Sequence, residues 1–208
     1  MGHPQRWIEP GLSAHVIQRG TDRMDVFRSS CDYETFLLLL KRTATRWTVA
    51  VHAFVLMTNH FHLILTPHTV AALSRMMQTV NASYAQYFNR QYKRTGTLWT
   101  GRYRSLLLTD AHYWLTCLRY VEQNPVRARL VEKPDQYRWS SYPIHAAGAD
   151  QDWLSSHPVY DALGSTPAER CETYRELCES ELTYEQLISS KHTLIGATPG
   201  TVRLAKAV

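Results

Sequence analysis

Apolar positions recur along this chain at two different periods, and the switches between them mark out its secondary structure. Residues 14–18, Ala14-His15-Val16-Ile17-Gln18, read as a first strand that closes on Arg19-Gly20. Asp32 suits the N-cap of a helix running to about residue 46, with Phe36, Leu39 and Leu40 on its apolar face. A strand over 48–56 and another over 60–66 are separated only by Met57-Thr58-Asn59, a hairpin connection. From 70 to about 92, Leu73, Met76, Met77, Val80, Tyr84, Tyr87 and Phe88 fall at helical intervals. A basic, glycine-containing loop leads into a strand over 102–108. Asp110 then caps a helix expected to reach Asn124, because Pro125 disfavours continuation. Strand, helix, two strands, helix, strand is the order of a ferredoxin-like split βαβ fold. The pattern therefore predicts an α+β domain: an antiparallel sheet with helices on one face, and one more helix after the last strand. Beyond about Trp139 the chain turns acidic and mostly helical, so it divides into a body, 1–145, and a helical extension, 146–208.

Composition adds little to the fold and more to the function. At 208 residues, 44% hydrophobic and 20% charged, the chain is an ordinary globular one with room for a single sizeable core. Those values exclude a collagenous, low-complexity or wholly disordered protein. The conspicuous apolar run Phe36-Leu37-Leu38-Leu39-Leu40 falls far short of the ~20 residues of a membrane span, and the N-terminal residues lack the apolar stretch of a secretory signal. A cytoplasmic location without membrane contact is expected. Cys31, Cys117, Cys171 and Cys178 form no metal-ribbon spacing and read as reduced thiols. Charge is distributed unevenly. Residues 1–140 carry 18 Lys and Arg against 9 Asp and Glu, whereas 141–208 carry 5 against 9. A basic body with an acidic tail points to a polyanionic partner for the body, with a merely solvated surface as the alternative.

Candidate chemistry begins with His60 and His62 in Thr58-Asn59-His60-Phe61-His62-Leu63. Side chains two apart on a strand share a face, so both imidazoles can reach one metal ion while Phe61 and Leu63 enter the core. The spacing alone names no metal, and structural histidines would fit it as well. The last helix of the body offers Tyr120 and Asn124, one turn apart on one face. An asparagine carbonyl is a hard oxygen ligand of the kind Mg2+ or Mn2+ accepts. A metal held by His60, His62 and Asn124 would polarise a phosphate within reach of Tyr120 as nucleophile.

Four separated segments, in order, then resemble a known family. They are Gln18-Arg19-Gly20; the run from Val51 through His60-Phe61-His62 to Leu63; Gly96-Thr97-Leu98-Trp99-Thr100-Gly101-Arg102-Tyr103; and Tyr120-Val121-Glu122-Gln123-Asn124-Pro125-Val126-Arg127-Ala128. Over roughly 10–145 the chain resembles the REP-associated tyrosine transposases of the HUH single-strand nuclease superfamily, and Tyr137-Arg138-Trp139-Ser140-Ser141-Tyr142 is similar to them too. The resemblance implies a catalytic domain over 1–145 and a divalent metal. It also implies cleavage and strand transfer of single-stranded DNA beside hairpins of repetitive extragenic palindromes, through a 5′-phosphotyrosine. By position it places the metal-binding histidines on His60 and His62, the third ligand on Asn124 and the nucleophile on Tyr120. Tyr113, the nearest other tyrosine on that helix, is read as packing.

Between Phe88 and Ser105 lie Arg90, Lys93, Arg94, Arg102 and Arg104, with no acid and with Tyr92, Trp99 and Tyr103 interleaved. Cations along a backbone with rings between them describe a single-strand groove, for which Lys93, Arg94, Trp99, Arg102 and Arg104 are the candidates. Arg19 and Arg23 form a second basic cluster, suited to unpaired bases flanking a hairpin. A metal phosphodiesterase using water, and a non-catalytic nucleic-acid-binding module, are the rival readings. One chain suffices for the site if its helix faces its own strand. A monomer is therefore expected, with a homodimer as the alternative.

Overall fold

The computed structural model describes residues 8–149 and 152–180; the remainder of the predicted extension, from 181 to 208, lies outside the described residues. Its body follows β1(Ala14–Arg19), α1(Ser30–Trp47), β2(Val49–Leu56), β3(His60–Pro67), α2(Ala72–Gln91), β4(Arg104–Leu107) and α3(Ala111–Glu122). The strands form one antiparallel sheet in the order β2-β3-β1-β4. β3 thus lies between β1 and β2, which α1 connects, and this is the split βαβ arrangement expected.

Alternation assigns each strand residue to a face. Val16, Phe61, Leu63 and Leu65 point to the layer of α1 and α2 and form the main core with Phe36, Leu40, Leu73, Met77, Val80 and Tyr84. The opposite face does not stay open. Ala53, Val55 and Ile64 meet Trp114, Cys117, Leu118 and Val121 of α3 in a second core, closed from outside by Tyr142, Tyr160 and Tyr174. A register shift between Val51 and Ala53, with His52 the extra residue, reverses the side-chain parity of β2, so that Val49 and Val51 share the main core with Phe54 and Leu56. α1 and α2 cover one face as the sequence predicts, while α3 and the helices after it cover the other.

Local chemistry moves several boundaries. Ser29, not Asp32, is the N-cap of α1; Asp32 sits at the third helical position and closes a capping box with it. The buried Asp32 carboxylate also accepts hydrogen bonds from the Tyr87 hydroxyl of α2 and from that of Tyr92, the residue after this helix. β4 is shorter than expected, since Arg102 and Tyr103 belong to the preceding loop. Pro125 does not end the helical path. α3 stops at Glu122, and a further turn, α4(Asn124–Arg127), begins at Asn124 with Pro125 in its first turn. There the missing N–H is no loss, because the first amides of a helix have no intrahelical acceptor. Among the described residues three helices follow, α5(Tyr142–Ala147), α6(Pro158–Asp161) and α7(Pro167–Glu179). The cysteines are free thiols. No described helix is long and apolar enough to cross a membrane.

Candidate active site

Antiparallel register builds the site floor. Arg19 pairs with His60, Ile17 with His62 on one side and with Arg104 on the other, so Arg104, Ile17 and His62 line up across the sheet. All of them face α3. The helix lies over this row with Tyr120 edge-on to His62, ring centroids 5.8 Å apart, and the His60 and His62 rings are 5.1 Å apart. An open cavity of about 760 Å³ results, lined by Arg19, Arg23, His60, His62, Arg102, Arg104, Tyr120, Asn124 and Arg127 among others.

Each predicted ligand has one polar atom already engaged. His60 Nδ1 lies 2.6 Å from Asn59 Oδ1, while Asn59 Nδ2 donates to the Arg23 carbonyl at 3.1 Å. An amide oxygen only accepts, so the proton sits on His60 Nδ1 and Nε2 keeps its lone pair. His62 Nδ1 lies 2.8 Å from Nε2 of the fully buried His15, leaving Nε2 as its second nitrogen. Asn124 Nδ2 donates to the Tyr120 carbonyl at 2.9 Å, which leaves Oδ1. Two imidazole nitrogens and one amide oxygen around a single cavity fit a divalent ion that takes its remaining ligands from phosphate and water. Among the described residues no three His, Cys, Asp or Glu side chains cluster as a metal site, so a carboxylate-rich cage is absent from them.

Burial sets the protonation states. It pushes His60 down to about 4, with Arg19 adding to the effect, and holds His62 well below the ordinary histidine value. Both are neutral at physiological pH, as metal ligation requires. Burial raises the Tyr120 phenol, and the Arg127 guanidinium, 4.8 Å over its ring, acts in the opposite direction.

The remaining predicted residues divide into two groups. Arg19, Arg23, Arg102 and Arg104 line the cavity. Trp99, Lys93 and Arg94 do not. The Trp99 ring is half-buried against Phe61 and Tyr84, and its indole N–H donates to the Asn81 carbonyl at 3.0 Å. Arg94 is held by Asn89, and Lys93 is exposed in the turn after α2. Tyr113 packs against the second core.

Sequence reasoning missed His15, Asp22 and Arg127. Arg127 is seven residues after Tyr120 and three after Asn124, a helical interval that becomes visible only once Pro125 is allowed inside a helical turn. His15 shares the parity of Ile17 and Arg19 on β1, but its approach to His62 depends on a pairing between β1 and β3 that no local pattern specifies. Asp22 and Arg23 adopt left-handed backbone conformations at the cavity rim, with φ of 49° and 58°. Gly20 makes that turn feasible, since a β-carbon there would meet the Met24 carbonyl oxygen at 2.5 Å.

The fold resembles that of a REP-associated tyrosine transposase solved bound to a REP hairpin, with a TM-score of 0.57 at 13% identity, covering 76% of this chain and 93% of that one. A putative transposase from Deinococcus radiodurans R1 is similar at a TM-score of 0.40 and 20% identity over 59% of this chain and 97% of that one. The tRNA(His) guanylyltransferase of Saccharomyces cerevisiae aligns at 0.45 and 11% identity over 88% and 83% of the two chains. No curated protein sequence matches. The IS200-like transposase family matches residues 10–124, more than half of the chain and all four strands, and the protein belongs to that family.

Proposed function

We propose that this transposase cleaves and rejoins single-stranded DNA through Tyr120, beside hairpins formed by repetitive extragenic palindromes. The observation that carries the reading is the meeting of Tyr120, His60, His62 and Asn124 in one arginine-lined cavity. In the first step the Tyr120 oxygen attacks phosphorus. An O–P bond forms, the bond to the 3′ oxygen breaks, and the departing oxygen takes up a proton as a free 3′-hydroxyl. The phenol proton leaves to water in the open cavity. The product is a 5′-phosphotyrosine, which a 3′-hydroxyl resolves by the reverse chemistry. Arg127 favours the developing phenolate, and Arg19, Arg23, Arg102 and Arg104 hold the flanking phosphates. Lys93 and Arg94 extend the basic path beyond the cavity, and Trp99 supports its wall.

His60, His62 and Asn124 would hold Mg2+ or Mn2+, which when bound polarises the scissile phosphate and draws charge off its oxygens. On this reading catalysis belongs to residues 1–145, and 146–208 form an extension whose described helices buttress α3. Tyr120 shares a cavity with histidines of its own chain, which supports a monomer as the working unit.

A labelled hairpin oligonucleotide with a single-stranded flank, incubated with the protein and Mn2+, should yield a DNA adduct on denaturing gels that Tyr120→Phe lacks. Cleavage that survives Tyr120→Phe would favour attack by water and sink the transferase reading.

A further inference from the structure

His15 occupies the centre of the sheet and is entirely buried, yet it is not an ordinary core residue. Its Nε2 lies 2.8 Å from His62 Nδ1, the two rings stack with centroids 5.1 Å apart, and Tyr120 meets its edge at 6.1 Å. Its other nitrogen, Nδ1, is buried with no hydrogen-bond partner among the described residues. Leaving a polar atom unsatisfied in a core is destabilising, a cost that an apolar side chain of similar size would avoid. What the imidazole supplies in return is an acceptor directly behind His62.

We propose that His15 is a positioning residue. It accepts the Nδ1–H of His62 and thereby turns the Nε2 lone pair of His62 toward the cavity. This rests on the reading of His60 and His62 as metal ligands given above. The two histidines then share one logic. Asn59 fixes the proton of His60 on Nδ1 from the surface side, and His15 fixes that of His62 from inside the sheet. With the opposite arrangement, His15 donating to His62, an N–H of His62 would face the cavity and repel a cation. Ligating imidazoles commonly donate their other N–H to a protein acceptor, and losing such a partner weakens metal binding by about 10- to 100-fold. Here the acceptor is the Nε2 of a fully buried imidazole.

Two measurements separate this from a packing role. In the metal-free protein, long-range proton–nitrogen NMR correlations of the imidazoles should show the proton of His62 on Nδ1. Mn2+ titration followed by EPR should show His15→Leu binding at least about 10-fold more weakly than the unaltered protein. The thermal midpoint of that variant should stay equal or rise. His15→Gln, whose side-chain oxygen can accept the same proton, should recover most of the affinity. A proton on His62 Nε2 would overturn the inference, as would His15→Leu binding Mn2+ normally or His15→Gln failing alongside it. If His60→Ala and His62→Ala bound Mn2+ normally, the metal site itself would fall and this role with it.

Discussion

Tyr120 is 7% exposed, and its ring lies between His62 on the sheet and Arg127 on the following helical turn. For the nucleophilic role proposed for Tyr120, the nearby Arg127 offsets part of the desolvation that raises the phenol. Arg127→Ala should therefore slow adduct formation on the order of 10-fold, equivalent to about 1.4 kcal/mol, with DNA affinity changed far less. Single-turnover rates at saturating protein would check it. The histidines predict a different separation. His60→Ala or His62→Ala should abolish cleavage while hairpin binding, measured by fluorescence anisotropy, stays within about threefold, because phosphate contacts dominate affinity. At this scale the sequence is most legible where local spacing brings side chains together: His60 and His62 two apart on β3, Tyr120 and Asn124 four apart across the junction of α3 and α4. It is least legible where a partner is supplied by a distant strand, as for His15, or where one residue type misleads, as Pro125 hid Arg127.

The helix carrying Tyr120 is held by more than its apolar stripe. Glu122, two residues on and fully buried, accepts hydrogen bonds from Ser141 Oγ, from the His145 ring at 2.8 Å and from the Tyr174 hydroxyl at 2.7 Å, joining α3 to the start of α5 and to α7. Gln123 Nε2 reaches the Cys178 carbonyl at 2.6 Å, and Arg119 reaches Ser180. Glu122→Ala would remove the acceptor that three donors share inside the second core, of which Ser141 Oγ also lies 3.2 Å from the Phe54 carbonyl. A loss of about 3 kcal/mol or more in urea unfolding is expected, together with weaker packing of α3 on the sheet. The element order of the body was readable from periodicity. The second core was not. Only the three-dimensional register, with its bulge at His52, shows that β2 presents Ala53 and Val55 to α3 while Phe54 and Leu56 serve the other layer.

Over the whole molecule, the charge asymmetry seen in the sequence resolves into a cavity with five arginines on its walls and helices with acidic residues such as Glu172, Glu176 and Glu179 behind α3. Counts could suggest a polyanionic partner but not which face would receive it. Burial of neutral histidines also couples folding to pH. His52, closed in by Ser155 and Thr66, is pushed down to about 4 by burial, as are His15 and His60. Unfolded, each titrates near the ordinary histidine value of about 6.5, so the unfolded chain binds more protons between those limits. Stability should be full above about pH 6.5 and fall as the pH drops toward 4, by up to about 1.4 kcal/mol per pH unit for each histidine. Urea midpoints across that window would show it, and a flat profile would contradict it.

The most direct test of the account is where the DNA becomes attached. After reaction with a flanked hairpin oligonucleotide and Mn2+, tryptic digestion should place the nucleotide adduct on the peptide of residues 120–127, whose one tyrosine is Tyr120. Mass spectrometry that found it there would establish the nucleophile. An adduct on the preceding peptide, which contains Tyr113, or efficient cleavage with no protein-bound DNA at all, would contradict the central claim.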